Sequence, residues 1–157
     1  MDMENGKTQE FAARIAESSR SELTVIVYDV ILEDIKEARE NAGDRDAFRQ
    51  LLLHANRFVN ELMITLDFKY PLAKNLWSLY EYVSGILAKA AFSGDVPALD
   101  EPGEIMTRLR NSFEEVAKQD TSGPLMKNTQ QITAGLTYGK GKLDEITTGV
   151  GNRGFLA

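Results

Sequence analysis

Between Asn60 and Val83 two apolar-faced segments meet at a short, proline-marked break, and that break limits what the rest of the chain can become. On its N-terminal side Leu62, Met63 and Leu66 share one helical face. On its C-terminal side Leu72, Leu76, Leu79, Val83, Ile86 and Ala90 recur at alternating spacings of four and three, the pattern of a helix-bundle seam. Pro71 suits a first helical position, where its missing N–H would have no partner in any case. It also biases Tyr70 away from helical geometry, so the two helices are separate. A connection this short makes them antiparallel neighbours. The remaining segments have to pack on this hairpin.

Upstream, Ser19-Arg20-Ser21-Glu22 has the form of a capping box. It predicts a helix from Arg20 to about Asn41, ended by Gly43. Leu23, Ile26, Val27, Val30 and Ile31 make one apolar face of it, and Val25, Tyr28, Leu32 and Ile35 a second. Only a stripe through Asp29, Glu33, Lys36 and Glu40 stays polar. A surface helix needs a single apolar stripe, so this one is either central to the bundle or keeps a face for a partner. A third helix is expected from Asp44 or Asp46 to Leu66, its inner face formed by Phe48, Leu51, Leu52, Ala55, Phe58, Val59, Leu62, Met63 and Leu66. The fourth runs from Pro71 to Phe92. Pro97 and Pro102-Gly103 predict an irregular connection, and Ile105, Met106, Leu109, Phe113 and Val116 a fifth helix reaching about Lys118. Within residues 1–18, Phe11 and Ile15 support one or two helical turns, too few to stand without a docking surface.

The expected fold is therefore all-α, an antiparallel four-helix bundle with a short N-terminal helical segment and an irregular C-terminal tail. Residues 1–120 form the bundle domain. Residues 121–157 hold six of the twelve glycines with scattered Thr and Gln, and read as a flexible Gly/Thr-rich tail. The formal charge of the chain is −6; four basic residues against two acidic ones give the tail +2, which leaves −8 on residues 1–120. An acidic body argues against a nucleic-acid partner, because phosphate binding needs a basic face.

Several chemistries find no support in the residues. There is no cysteine, hence no disulfide framework or thiolate. His54 is the single histidine and has no carboxylate at helical i+3 or i+4 spacing, so no metal site is expected and His54 reads as a plain helix residue. The glycine-rich run from Gly135 to Lys142 lacks phosphate-loop spacing and a preceding strand. No nucleophile stands beside a base. No catalytic residue and no cofactor is expected, and the start of the chain, Met1-Asp2-Met3-Glu4-Asn5-Gly6, has neither a basic nor an apolar signal region. No apolar run is long enough for membrane insertion. The chain reads as cytoplasmic.

Glu61-Leu-Met-Ile-Thr-Leu-Asp67, the elbow, and Ala73-Lys-Asn-Leu-Trp-Ser-Leu-Tyr-Glu-Tyr-Val83 resemble the central signature of the FliS-type flagellin export chaperones. The resemblance extends back through Ile15–Leu23 and Val27-Tyr28-Asp29, and forward through Asp95-Val-Pro-Ala-Leu99. In all it covers about residues 11–119. The chain departs from the family pattern at Val30, where Gly is usual, at Arg20 for Pro, at Phe113 for Trp and at Ala91 for Asn. The resemblance implies an antiparallel helical bundle, without cofactor or catalysis. Such a bundle binds the C-terminal segment of flagellin in apolar grooves, prevents premature polymerisation and delivers its client to the flagellar type III export gate. On this basis the flagellin-binding residues are expected to be Tyr28, Leu32, Leu66, Trp77, Tyr80, Val83 and Leu87. Periodicity alone favours Tyr28 and Leu32 as core, and leaves Trp77, Tyr80 and Leu87, off the Leu72–Val83 seam, open between inter-helix packing and a groove. The alternative is a non-catalytic helical scaffold or oligomerisation module. Asp29 reads as a solvated acid.

Overall fold

The computed structural model describes residues 2–120 together with Gly123 and Pro124. The expected tail, residues 121–157, otherwise lies outside the described residues. Five α-helices follow one another: α1 (Asp2–Glu17), α2 (Arg20–Glu40), α3 (Arg45–Ile64), α4 (Leu72–Ser93) and α5 (Asp100–Gln119), with a single 3₁₀ turn at Pro97–Leu99 before α5. The described fold is all-α, with α2 to α5 packed as a bundle. Two compact units divide it, one holding the residues up to Ile26 and from Phe113, the other Val27–Ser112.

In the first unit, α1 is longer than the one or two turns expected. Arg14 lies 5.6 Å from the centroid of the Phe11 ring, a cation–π contact within the helix. The chain breaks at Ser18 and Ser19, both buried. The Ser18 hydroxyl donates back to the Arg14 carbonyl. The Ser19 hydroxyl accepts from the Glu22 N–H at 3.3 Å and donates to the Glu22 carboxylate at 3.2 Å, so the predicted cap is in place. Ser21 then donates to the Asp120 carboxylate at 2.8 Å, tying the first turn of α2 to the residue just beyond α5.

In the second unit α2 is the central helix. It reaches α4 through Tyr28 and Tyr80, α3 through Asp34 and His54, and α5 through Asp29–Arg110 and Arg39–Asp100. Its polar contacts thus run to three different helices, while Leu32 of its second apolar face stays half-buried.

The α3–α4 hairpin closes at both ends. Asp44 caps α3, its carboxylate accepting from the Ala47 N–H at 3.1 Å. At the elbow the Thr65 hydroxyl donates to the Leu62 carbonyl at 2.9 Å, and the Asp67 carboxylate accepts from the Lys69 N–H at 3.0 Å. This local side-chain bonding turns the backbone before Pro71. At the far end Arg45, the first residue of α3, donates to the Phe92 carbonyl at 2.8 Å and the Ser93 carbonyl at 3.2 Å, which are orphan acceptors of the last turn of α4.

The seam of α4 differs from the one read in the sequence. Ala73, Leu76, Tyr80, Val83, Leu87 and Ala90 are buried, whereas Leu72 and Leu79 are exposed and Ile86 is half-buried. Both sets share the bundle spacing, because α4 is apolar on more than one side. The inward set is the one that buries small Ala73 and Ala90 and lets the Tyr80 hydroxyl meet a partner. The irregular connection is also more ordered than expected. Leu99 of the 3₁₀ turn is fully buried, and α5 starts at Asp100, with Pro102 in its first turn where no N–H is required.

Gly94 ends α4 with φ 74°, ψ 17°, its N–H bonded to the Ala90 carbonyl at 2.8 Å. An L-residue at such a φ costs about 1–2 kcal/mol, and a Cβ there would run into the Arg45 guanidinium. Gly94→Ala should therefore lower the unfolding free energy by roughly 2 kcal/mol, measured by urea denaturation. Gly85→Ala, at an exposed position with nothing near its Cβ site, should be neutral or stabilising.

Candidate functional site

Among the described residues no group of three or more His, Cys, Asp and Glu is placed to hold a metal. They offer apolar surface instead. Around the elbow, Ile64 is 63% exposed, Phe68 55%, Tyr70 65%, Leu72 60% and Trp77 38%. Phe68 and Trp77 lie with ring centroids 5.8 Å apart, tilted by 56°. The patch continues along α4 through Leu79 and Tyr82, which share a helical face with Leu72. Scattered exposed apolar residues need no explanation, but so many large ones within one turn-and-helix segment mark a surface for association.

A second concavity lies between α2 and α5. It is a groove of about 660 Å³ with Leu32 and Ile35 of α2 along its floor and Gly103 and Thr107 of α5 opposite. The Arg39–Asp100 pair, at 2.9 Å, bridges it.

The seven residues expected to bind a client divide by burial. Trp77 is exposed, and Leu32 and Leu66 are half-buried. Tyr28, Tyr80, Val83 and Leu87 are buried, at 1% exposure or less, and in this conformation offer no surface. Tyr28 and Tyr80 face each other with ring centroids 6.4 Å apart, and their hydroxyls hydrogen-bond. Burial holds both phenols above the ordinary tyrosine range. The exposed residues that sequence reasoning passed over are Ile64, Phe68, Tyr70 and Tyr82. For Phe68 and Tyr70 the signal was present in the elbow, a seven-residue connection that needs neither of them for turning.

Two charged pairs also escaped the sequence. Asp29 is not a solvated acid: it accepts from Arg110 Nε at 2.7 Å, with both side chains at most a quarter exposed. His54 is not a plain helix residue either. Its Nδ1 lies 2.5 Å from the Asp34 carboxylate, and its ring stands edge-on to Phe58. Burial raises the Asp34 carboxyl above its usual range, an effect partly offset by the hydrogen bond from His54. Both pairs join residues far apart in sequence, so helical spacing along one segment could not reveal them.

A model of the FliS flagellar proteins matches residues 3–120. The chain belongs to the FliS family. Its match covers all five helices and stops where the described helical region stops. Among curated proteins none matches the chain. FliS-family membership makes the bundle part of a non-catalytic chaperone family of the flagellum. No helix among them is long and apolar enough to cross a membrane.

The Tyr28–Tyr80 bond generates a prediction for this FliS-family chain. Tyr28→Phe leaves the buried Tyr80 hydroxyl without that partner, and should cost about 1–3 kcal/mol in urea unfolding. Tyr28→Phe with Tyr80→Phe removes both hydroxyls and should cost less than the two single changes added together.

Proposed function

We propose that this FliS-family chain is a cytoplasmic export chaperone for flagellin. It binds the C-terminal segment of a flagellin one-to-one, prevents premature polymerisation and delivers the client to the flagellar type III export gate. The observation that carries this reading is the aromatic and aliphatic surface around the elbow. A chaperone for a partly unfolded client has to present apolar surface in its free state, and amphipathic helices are held by anchors laid into such surfaces. Trp77 and, beside the elbow, Leu66 are its anchors there; Leu32, in the separate α2–α5 groove, is not needed for this reading. Tyr28, Tyr80, Val83 and Leu87 serve the client indirectly, as the core on which α4 is held.

Titration calorimetry with the C-terminal segment of the cognate flagellin tests the reading. One-to-one binding supports it. No heat and no co-elution at about tens of micromolar protein would remove it, and self-association through the elbow would support the scaffold reading instead.

Burial separates the two aromatic roles. Trp77→Asp should weaken client binding by at least about thirtyfold, the loss of an interface anchor of about 2 kcal/mol, with little change in thermal midpoint. Tyr28→Asp puts an unpaired charge in the core and should cost several kcal/mol of stability, on the order of 3–5. If both variants melted alike, Trp77 would belong to the core.

A further inference from the structure

The α2–α5 groove differs in charge from the protein that surrounds it. Residues 1–120 carry −8, yet the groove is edged by Lys36, Arg39 and Arg108 against Asp100 and Glu104, a local balance of +1. Arg39 is committed to Asp100 at 2.9 Å. Lys36 of α2 and Arg108 of α5 are exposed and, among the described residues, make no ion pair. The neighbouring acids of α2, Glu33 and Glu37, lie beside Asp34 and are not part of the groove wall. Between the two free cations the floor is apolar, made by half-buried Leu32 and buried Ile35, and Gly103 leaves bare backbone on the α5 side.

From this arrangement we infer that the groove is a docking site for an acidic amphipathic segment of a partner protein. An apolar ridge of that segment lies on Leu32 and Ile35, and carboxylates on its flanks meet Lys36 and Arg108. The charge decides the occupant. An acidic segment is repelled by most of this body and finds cations beside an apolar floor here, so long-range repulsion and local attraction together select the site. A basic segment would be drawn to much of the remaining surface and would meet like charge at this rim. The site is separate from the elbow surface, and its occupancy does not depend on flagellin being the client.

Two synthetic peptides of about 18 residues, long enough to form helix on binding, provide the test. They share the same apolar positions and differ only in carrying Glu or Lys on the polar face. Titrated into the full-length, nitrogen-15-labelled chain, the Glu peptide should bind at least about tenfold more tightly than the Lys peptide. It should shift the amides of Leu32, Gly103 and Thr107, and weaken as salt is raised. The double variant Lys36→Glu, Arg108→Glu changes only exposed side chains, so its thermal midpoint should hold while the peptide preference reverses. Equal affinities, an unchanged preference in the variant, or shifts confined to the elbow around Phe68 and Trp77 would each overturn the inference. None of these results bears on calorimetry with flagellin, so the two readings fail separately.

Discussion

A hydrogen bond between two buried phenols fixes the arrangement of the bundle. Tyr28 and Tyr80 are 52 positions apart, and their hydroxyls meet between α2 and α4, where no solvent can replace either partner. A buried hydroxyl left alone is costly, so each tyrosine makes the other's position obligatory. Sliding α2 against α4 by a turn would separate the pair by several ångströms, about 5.4 Å along the axis. Purely apolar side chains tolerate such shifts better, because dispersion and burial are not directional. The surrounding aliphatic residues supply cohesion, and the tyrosines supply the register.

From that register follow the places where the charged pairs form. With α2 set by Tyr28, Asp29 faces Arg110 of α5, and five residues further on Asp34 faces His54 of α3. The three contacts lie within two turns of one helix and point to three different neighbours. An α2 with a single apolar stripe could not serve them all. The same crowding explains Leu32: it stands where the faces toward α3 and α4 have been filled and α5 does not fully cover the remainder, so it lines a groove.

Helix positions were legible in the sequence because each rests on local chemistry. Ser19 and Glu22, Asp44, and Pro71 act within a turn of where they stand, and the observed starts of α2, α3 and α4 lie at these residues. The orientation of α4 was not legible. Leu72, Leu76 and Leu79 fit a seam as well as Ala73, Leu76 and Tyr80 do, and only a partner on another helix distinguishes them. For the same reason Tyr80 and Leu87 read as candidates for a surface although they are buried, and the exposed aromatics of the elbow drew no attention. Periodicity says which residues share a face. It does not say which of two apolar faces turns inward, and on a protein that keeps apolar surface for a partner that question is the functional one.

The contact between Arg45 and the end of α4 has a bearing on how sequences of this shape can vary. Both of its hydrogen bonds go to main-chain carbonyls, those of Phe92 and Ser93, so the guanidinium reads where the helix stops and ignores which side chains it carries there. Substitutions along α4 leave that measurement intact. Adding or removing one residue between Pro71 and Gly94 would not, since it turns the helix end by about 100° and moves it about 1.5 Å. Arg45 works as a gauge of length: the 22 residues of α4 are matched to the 20 of α3. The exposed positions of the hairpin can change without disturbing this contact, whereas a one-residue insertion or deletion within α4 would break it.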